Sequence, residues 1–299
     1  MQTNSIRWLY LVVLALIWGS SFILIKKALV GLSPIQLGAL RVIISGLFLF
    51  LVGIKSLKGL TGKTIKWLII SGFLGTFFPA FLFAYAETEI DSAVASILNS
   101  LVPLSTIIMG VTLFQIGASN RQWIGVLVGL VGTVLLILNG AAIKPDQNYY
   151  YAILVVIATV MYALNVNIIK KHLQQVPPMA IACGNFAAII IPAIIILIAN
   201  GFFTKAVFTT PELPTALGYL VLLCLFGTAM AKVIFNKLVQ ISTPVFASSV
   251  TYLMPLVAVL WGFLDGEGFS WQEGLAALLI LCGVWLANSK GLPKIFGRN

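Results

Sequence analysis

The stretch AYAETEIDSAVASILNSLVPLSTIIMGVTL, from Ala84 to Leu113, ends one apolar segment, turns at three carboxylates and begins another apolar segment. A related stretch, NKLVQISTPVFASSVTYLMPLVAVL, runs from Asn236 to Leu260. Both regions have similar length and hydropathy, so the chain is predicted to contain two copies of one unit. Shifting the sequence by 152 positions superposes six identical residues in and around these regions: Gly75 on Gly227, Thr76 on Thr228, Ala95 on Ala247, Ser96 on Ser248, Pro103 on Pro255 and Gly110 on Gly262.

The composition places these units in a membrane. Hydrophobic residues make up 60% and charged residues 9% of the 299-residue chain, and the mean hydropathy is +1.07. A soluble domain carries about 25% charged residues, so this chain cannot cover a water-exposed surface. Long apolar runs indicate membrane-spanning helices, whereas the strands of a membrane β-barrel alternate polar and apolar residues. We therefore predict an all-α polytopic membrane protein.

Ten transmembrane helices are predicted, each close to the ~20 residues that a bilayer crossing requires. The first is interpreted as a span rather than a signal peptide, because Lys26 and Lys27 follow it instead of a small-residue cleavage site. The predicted spans are Trp8–Leu29, Pro34–Ile54, Trp67–Glu87, Ser92–Leu113, Trp123–Ala142, Tyr149–Ile169, Pro177–Asn200, Leu217–Lys237, Pro244–Leu264 and Trp271–Asn288.

The positions of the charges predict the orientation of the spans. With the N-terminus in the cytoplasm, 12 of the 18 Lys and Arg residues fall on the cytoplasmic side, and all eight acidic residues fall on the other side. Cytoplasmic loops carry an excess of Lys and Arg, so both termini are predicted to be cytoplasmic, in the cell (inner) membrane. The net charge of +10 is spread over short loops, which argues against a nucleic-acid partner.

The first spans of the two units also align. At an offset of 144, IWGSSFILIKK (Ile17–Lys27) lies on MYALNVNIIKK (Met161–Lys171), and Pro34 lies on Pro178. Because five spans is an odd number, the second unit must enter the membrane from the opposite side. Such inverted repeats form a binding site near the membrane midplane, between the halves. The predicted five-helix halves are residues 1–143 and 144–299.

Three motifs carry a family resemblance. They are IWGSSF in the first span, LGALRVIISG after Pro34 in the second span, and SILNSLVPL in the fourth. The chain resembles, over essentially its whole length, the drug/metabolite transporter superfamily, and within it the EamA type of bacterial exporters. The resemblance implies two EamA-like repeats, a cavity among spans 1, 3, 4, 6, 8 and 9, and pairing of spans 5 and 10. Members of the superfamily export amino acids, other metabolites or drugs, and plastid relatives exchange phosphorylated sugars.

The function predicted from these features is secondary transport of a small metabolite. We expect export of an amino acid or a related amphipathic solute by alternating access; the alternatives are a membrane-embedded enzyme and a channel or scaffold. An enzyme needs convergent acid–base or metal-binding groups, but the only histidine, His172, falls in a predicted loop and the three cysteines are far apart. No catalytic residue, metal or cofactor is predicted, and the partners are a small-molecule solute and the lipid bilayer.

Polar and aromatic residues within the spans are the candidates for solute binding. Lys232 has no predicted carboxylate partner at membrane depth. It therefore meets an anionic group of the solute, titrates because burial disfavours its ammonium, or snorkels to the interface. Asparagines in hydrocarbon need hydrogen-bond partners and are expected to face the interior, where they either touch the solute or join helices. The candidates are Trp18, Ser21, Tyr85, Asn99, Tyr162, Asn165, Lys232, Asn236 and Tyr252.

Three further residues are predicted to have structural or hinge roles. Arg41 lies about 10 Å into the second span, and its match to the LGALR pattern favours bonding to carbonyls or helix ends over contact with solute. Pro103 and Pro255 remove helical hydrogen bonds at matched positions. Paired hinges are therefore predicted, with ordinary helix packing as the alternative.

Two groups of residues leave alternatives open. One small-residue face would pack either against the tenth span, in a monomer, or against another chain, in a homodimer: Gly125, Gly129 and Gly132. An acidic cluster at an outer helix junction is interpreted as a solvated edge, with its first member as the alternative proton-carrying carboxylate: Glu87, Glu89 and Asp91.

Overall fold

The computed structural model describes residues 2–90, 92–141, 149–264 and 271–288, and the regular structure in these ranges is helical. The main helices are α1 (Gln2–Ala28), α2 (Pro34–Gly53), α3 (Gly62–Ala86), α4 (Ser92–Leu98), α5 (Val102–Phe114), α6 (Asn120–Ala141), α7 (Ala152–His172), α8 (Pro178–Ala199), α9 (Leu213–Ile241), α10 (Pro244–Ser248), α11 (Val250–Leu264) and α12 (Trp271–Asn288). Shorter helical turns are Ile54–Leu57, Asn99–Leu101, Tyr149–Tyr151 and Lys205–Phe208. The predicted boundary between residues 143 and 144 and five predicted loop acids and bases lie outside the described residues: Asp91, Lys144, Asp146, Asp265 and Glu267.

Six helical segments are long and apolar enough to cross a bilayer: Ser5–Ala28, Pro34–Leu57, Gly62–Ala86, Ala152–His172, Pro178–Ala199 and Leu213–Ile241. Shorter apolar helices cover Asn99–Phe114, Pro244–Val257 and Leu278–Ala287. The prediction of an all-α polytopic membrane protein is therefore confirmed. The number of ten spans and the inverted orientation of the two halves stay predictions.

Two helices begin at prolines that the 144-residue offset relates. Pro34 is the first residue of α2 and Pro178 the first residue of α8, where the missing N–H costs no hydrogen bond. Ser33 adds a capping box to α2: its hydroxyl accepts a hydrogen bond from the Gln36 backbone N–H, and the Gln36 side chain accepts one from the Ser33 backbone N–H. α2 and α8 then pack against each other.

Wide helical turns occur within α3 and α9. Residues Phe73–Phe77 of α3 and Leu223–Met230 of α9 are π-helical. Gly75 and Gly227, which the 152-residue offset relates, lie within these two turns. Such turns are rare in proteins, and those that occur are often found at functional sites. The same local deformation thus occurs at matched positions of two related segments.

A second pair of discontinuities falls in the stretches that reveal the repeat. The 3-10 turn Asn99–Leu101 joins α4 to α5, and Pro103 is the second residue of α5. Ser249 separates α10 from α11, and Pro255 lies inside α11. Each predicted hinge proline therefore follows a break in its helical segment, while bending at these prolines stays a prediction.

The remaining helix contacts follow a matched scheme. α1 packs against α9 and α11, and α7 packs against α3 and α5. α2 packs against the wide turn of α9, and α8 packs against α3. The sequence offsets make α1 equivalent to α7, α2 to α8 and α3 to α9, so equivalent helices make equivalent contacts.

α6 and α12 approach each other through glycines. Gly125 faces the backbone of Ala287, and a Cβ added to Gly283 would lie 2.6 Å from the Cα of Gly129. Small residues allow membrane helices this close approach. Of the two alternatives for the small-residue face, the structure shows packing within the chain, against α12.

Lys170 ties together one end of the bundle. Its ammonium lies 2.7 Å from the carbonyl oxygen of Ser242 and 3.3 Å from that of Gln240, where α9 ends. The Gln174 side chain also donates to the Gln240 carbonyl, at 2.8 Å. We call this the Lys170 end, and the opposite end, where α3 ends and α4 begins, the Glu87 end.

Candidate functional site

A cavity lies at the centre of the bundle, between the Lys170 end and the Glu87 end. It holds ≈ 830 Å³ of unfilled space, part of it open to the surroundings. Residues of α1, α2, α3, α5, α7, α9, α10 and α11, together with Asn99, line it. These are the segments that the sequence resemblance implied, with α2 in addition.

Six of the nine residues predicted to bind solute line this cavity: Trp18, Ser21, Asn99, Tyr162, Asn165 and Lys232. The Trp18 indole donates to the Gly227 carbonyl at 2.9 Å, so its ring is held against the wide turn of α9. The Asn165 side-chain oxygen accepts a hydrogen bond from Ser71 Oγ at 2.6 Å. Both side chains are therefore positioned before any solute arrives.

The other three candidates lie away from the cavity. Tyr85 is exposed on the outer surface of α3, because a residue two positions after the lining residue Phe83 lies about 200° away around the helix. Tyr252 is fully buried against α6, where its hydroxyl donates to the Val126 carbonyl at 3.0 Å. Asn236 is buried towards the Lys170 end and donates to the carbonyl of Pro178 at 3.3 Å.

Most of the lining consists of residues that the two sequence offsets relate to each other. The sequence offsets could have extended the candidate set, because the counterpart of each candidate that lines the cavity lines it too. Nine such pairs line the cavity: Trp18 with Tyr162, Ser21 with Asn165, Phe22 with Val166, Gly75 with Gly227, Thr76 with Thr228, Ala80 with Lys232, Phe83 with Phe235, Asn99 with Thr251, and Val102 with Met254.

Lys232 reaches across the cavity rather than to the membrane surface. Its ammonium donates to the carbonyl of Gly75, in the wide turn of α3, and lies 5.9 Å from the centre of the Tyr162 ring. The side chain is only 9% exposed. The structure therefore does not support snorkelling, and it leaves a buried cation in the lining.

Arg41 is a lining residue that sequence reasoning assigned to a structural role. Its Nε donates to the hydroxyl of Thr228 at 2.9 Å, and that hydroxyl donates in turn to the carbonyl of Leu223 at 3.2 Å. Its terminal amino groups make no hydrogen bond within the part of the chain that the structure describes. Arg41 thus brings α2 into the cavity wall, and its charge within a span was the signal for it.

Two buried polar atoms of the lining are without hydrogen-bond partners among the described residues. They are the side-chain oxygen of Asn99 and the hydroxyl oxygen of Thr76. Buried polar groups normally have a partner, and leaving one unmade costs about 1–3 kcal/mol. Both atoms are therefore available to a hydrogen-bonding ligand.

Glu87 does not belong to a solvated edge, so that interpretation is wrong for this residue. It is 3% exposed and directly follows the last residue of α3. Its Oε2 accepts from Ser92 Oγ at 2.9 Å, and its Oε1 has no partner among the described residues. Glu89 is exposed, as expected.

The cavity offers positioning groups rather than reactive ones. Within residues 2–90, 92–141, 149–264 and 271–288, no group of three or more His, Cys, Asp or Glu side chains converges on a point that could hold a metal ion. The lining combines two cations, amides, hydroxyls and aromatic rings. Such a set binds and orients a small molecule through charge, hydrogen bonds and apolar contact.

Comparison with known proteins decides the family. The profile of the EamA-like transporter family matches residues 6–138 and 150–289. The chain belongs to the EamA-like transporter family. It is therefore a membrane transporter of the drug/metabolite transporter superfamily, embedded in a lipid bilayer and acting on a small molecule.

Relatives extend along nearly the whole of this EamA-like chain. It is 28% identical to the uncharacterized inner membrane transporter YedA of Escherichia coli strain K12, covering 91% of this chain and 87% of that protein. It is 23% identical to protein PagO of Salmonella typhimurium, over 96% of this chain and 93% of that protein. It is also 23% identical to the S-adenosylmethionine/S-adenosylhomocysteine transporter of Chlamydia muridarum, over 85% and 83% of the two chains. These names support a multi-pass protein of the inner membrane.

A solved structure shares the fold. A crystal structure of a protein with 18% sequence identity superposes with a TM-score of 0.73, over 95% of this chain and 96% of that chain. At this identity the likeness concerns the arrangement of helices only.

Proposed function

We propose that this EamA-like protein is a secondary transporter that exports an amino acid or a related amphipathic metabolite by alternating access. The observation that carries the proposal is the central cavity, in which buried cations, amides and aromatic rings from the two related segments meet. Burying polar groups with few hydrogen-bond partners inside a membrane bundle costs free energy. Binding of a solute would supply the missing partners. The Chlamydia relative, named for two amino-acid-derived solutes, is consistent with this class of cargo.

We further propose ten spans arranged as two inverted five-helix repeats, residues 1–143 and 144–299. The matched wide turns, the matched helix contacts and the nine pairs in the lining support this arrangement. In inverted-repeat transporters, one half rocks against the other around a central site and exposes it to each side in turn. Cavity walls made from equivalent residues suit two states that mirror each other.

The proposed topology predicts opposite locations for two reporter fusions. A reporter fused after Lys144 should lie outside the cytoplasm, because five spans precede it, whereas one fused after Arg298 should lie in the cytoplasm. Paired alkaline phosphatase and fluorescent protein fusions measure this directly. The same location for both reporters would rule out the ten-span arrangement.

Transport is tested with the purified protein in liposomes. We expect liposomes loaded with an unlabelled solute to accumulate the same labelled solute transiently above its external concentration, for at least one member of a panel of amino acids and related metabolites. Such counterflow requires a site that alternates between the two sides. Protein-free liposomes are the control. Accumulation no greater than in that control, across the whole panel, would contradict the proposed function.

A further inference from the structure

The two sides of the cavity match in shape but not in charge. Among the nine related pairs, one combines a charged with an uncharged residue: Lys232 lies where the 152-residue offset places Ala80. Arg41 is likewise unmatched, since the 144-residue offset places it on Asn185, which packs at Gly72 outside the lining. Both cations therefore lack a charged counterpart in an otherwise matched cavity.

Arg41 and Lys232 both line the part of the cavity around Thr228. The Arg41 Nε is 2.9 Å from the Thr228 hydroxyl, and Lys232 follows Thr228 by four residues, so the two share one face of the helix. Two like charges in one cavity repel each other, and burial raises the cost of each. An arrangement of this kind is stabilised by an anion that contacts both cations.

The protein supplies only part of that negative charge. None of the described lining residues is acidic. Glu87 acts electrostatically with Lys26 and Arg41, but it lies at the Glu87 end, beyond the lining, and its Oε2 is bonded to Ser92. Counting Glu87, the two lining cations still exceed the nearby carboxylates by one.

The rest of the lining indicates which other chemical groups the solute carries besides its anionic group. The terminal amino groups of Arg41 are directed to no described acceptor, and a guanidinium suits a planar, two-oxygen anion. The unpartnered oxygens of Asn99 and Thr76 provide hydrogen-bond positions, and Trp18, Phe22 and other rings provide apolar walls. The ammonium of a zwitterion would add a third positive charge to the cavity, where no described lining residue carries a carboxylate to pair with it. A zwitterion is therefore expected to bind less tightly than an anion.

We propose that the cavity selects net-anionic organic solutes, whose carboxylate lies between Arg41 and Lys232 and whose apolar body contacts the aromatic walls. This inference rests on the proposed function and narrows its substrate class to those amino acids and related solutes that carry a net negative charge. The two cations would discriminate between solutes by their charge rather than by the shape of their apolar part.

The test compares four compounds with the same phenyl body but different charge at pH 7. They are 3-phenylpropionate (anion), 3-phenylpropionamide (neutral), phenylalanine (zwitterion) and phenylalaninamide (cation). Binding to the purified protein is measured by thermal stabilisation, from which affinities follow by mass action. We expect 3-phenylpropionate to bind roughly ten- to hundredfold more tightly than 3-phenylpropionamide, the size expected for charge-assisted hydrogen bonds.

Two variants test the site, and both are compared with one control variant. Lys232→Met and Arg41→Gln should each remove most of this difference between anion and amide, while Lys237→Met should keep it, because Lys237 is exposed five residues further along α9. Size-exclusion chromatography shows which variants fold, and the ratio of two affinities in one folded variant does not depend on its stability. Either cation variant alone carries the test.

The outcomes separate this inference from the proposed function. Tighter binding of phenylalanine or its amide, no charge-dependent binding, or an unchanged ratio in a folded cation variant overturns the anion site while leaving counterflow to be judged by itself. Charge-ordered binding without counterflow of any solute would instead retain the site and overturn the proposed transport.

Discussion

Gly75→Val should reduce counterflow by roughly 5- to 150-fold, the factor that corresponds to about 1–3 kcal/mol of overpacking. The side chain has no room, because even a Cβ on Gly75 would lie 2.8 Å from the Asn165 side-chain oxygen. That amide cannot simply turn away, since Ser71 holds it. The Gly75 carbonyl also accepts the hydrogen bond from Lys232, so the substitution disturbs both sides of the cavity.

Gly62→Val is the matched control for this experiment. Gly62 is the first residue of the same helix, and a Cβ there would meet nothing within 4 Å. Initial rates of counterflow in liposomes, normalised to the amount of folded protein, measure the effect. Equal rates for the two variants would show that the close approach of α3 and α7 does not matter for transport.

Gly283→Val should separate α6 from α12 and lower the melting temperature by roughly 2–12 °C, from about 1–3 kcal/mol of overpacking. The obstacle is backbone: a Cβ on Gly283 would lie 2.6 Å from Gly129 Cα and 2.7 Å from the Gly125 carbonyl oxygen. Backbone atoms of a helix cannot move individually, so the whole pair of helices must part.

Gly218→Val serves as its control, because a Cβ on Gly218 has open space around it. Melting is followed in detergent by intrinsic fluorescence, with size-exclusion chromatography before and after heating. A melting temperature of Gly283→Val equal to that of the control would contradict tight packing of α6 on α12. A change from monomer to a larger species would indicate that the freed glycine face then pairs between chains.

Hydropathy was sufficient to predict the helical class and the six segments long and apolar enough to cross a membrane, because apolar runs and charged loops differ strongly in this composition. The repeat offsets could also be found from the amino-acid sequence. They relate Trp18 to Tyr162 and Ser21 to Asn165, and all four residues line the cavity. Identical residues at a fixed spacing can be recognised in a sequence, although the sequence does not show which residues are in contact.

The directions of individual side chains could not be predicted in the same way. A membrane helix is apolar all round, so the periodicity that marks the buried face of a soluble helix is weak. Tyr85 and Tyr252 were therefore assigned to a cavity that neither one lines. The wide turns within α3 and α9 add to the difficulty, because a π turn changes the register of every later residue.

The same limit explains Arg41 and Glu87. A motif shared by a family suggested a structural role for Arg41, and only the packing of α2 against α9 shows that it lines the cavity. Glu87 is near the end of a span in the sequence, yet it is buried and accepts a hydrogen bond from Ser92 of α4. The folded arrangement of the helices, rather than the local sequence pattern, shows where each of these two residues lies.

The wide turns of α3 and α9 also bear on the history of the gene. A π turn holds one residue more than the α turn it replaces, so insertion of a single codon is its simplest origin. Two unrelated insertions at equivalent positions are improbable compared with one insertion inherited by both copies. If the two halves arose by duplication, one insertion in a half-length ancestor accounts for both wide turns, and this part of the cavity wall is then older than the two-unit chain that encloses it.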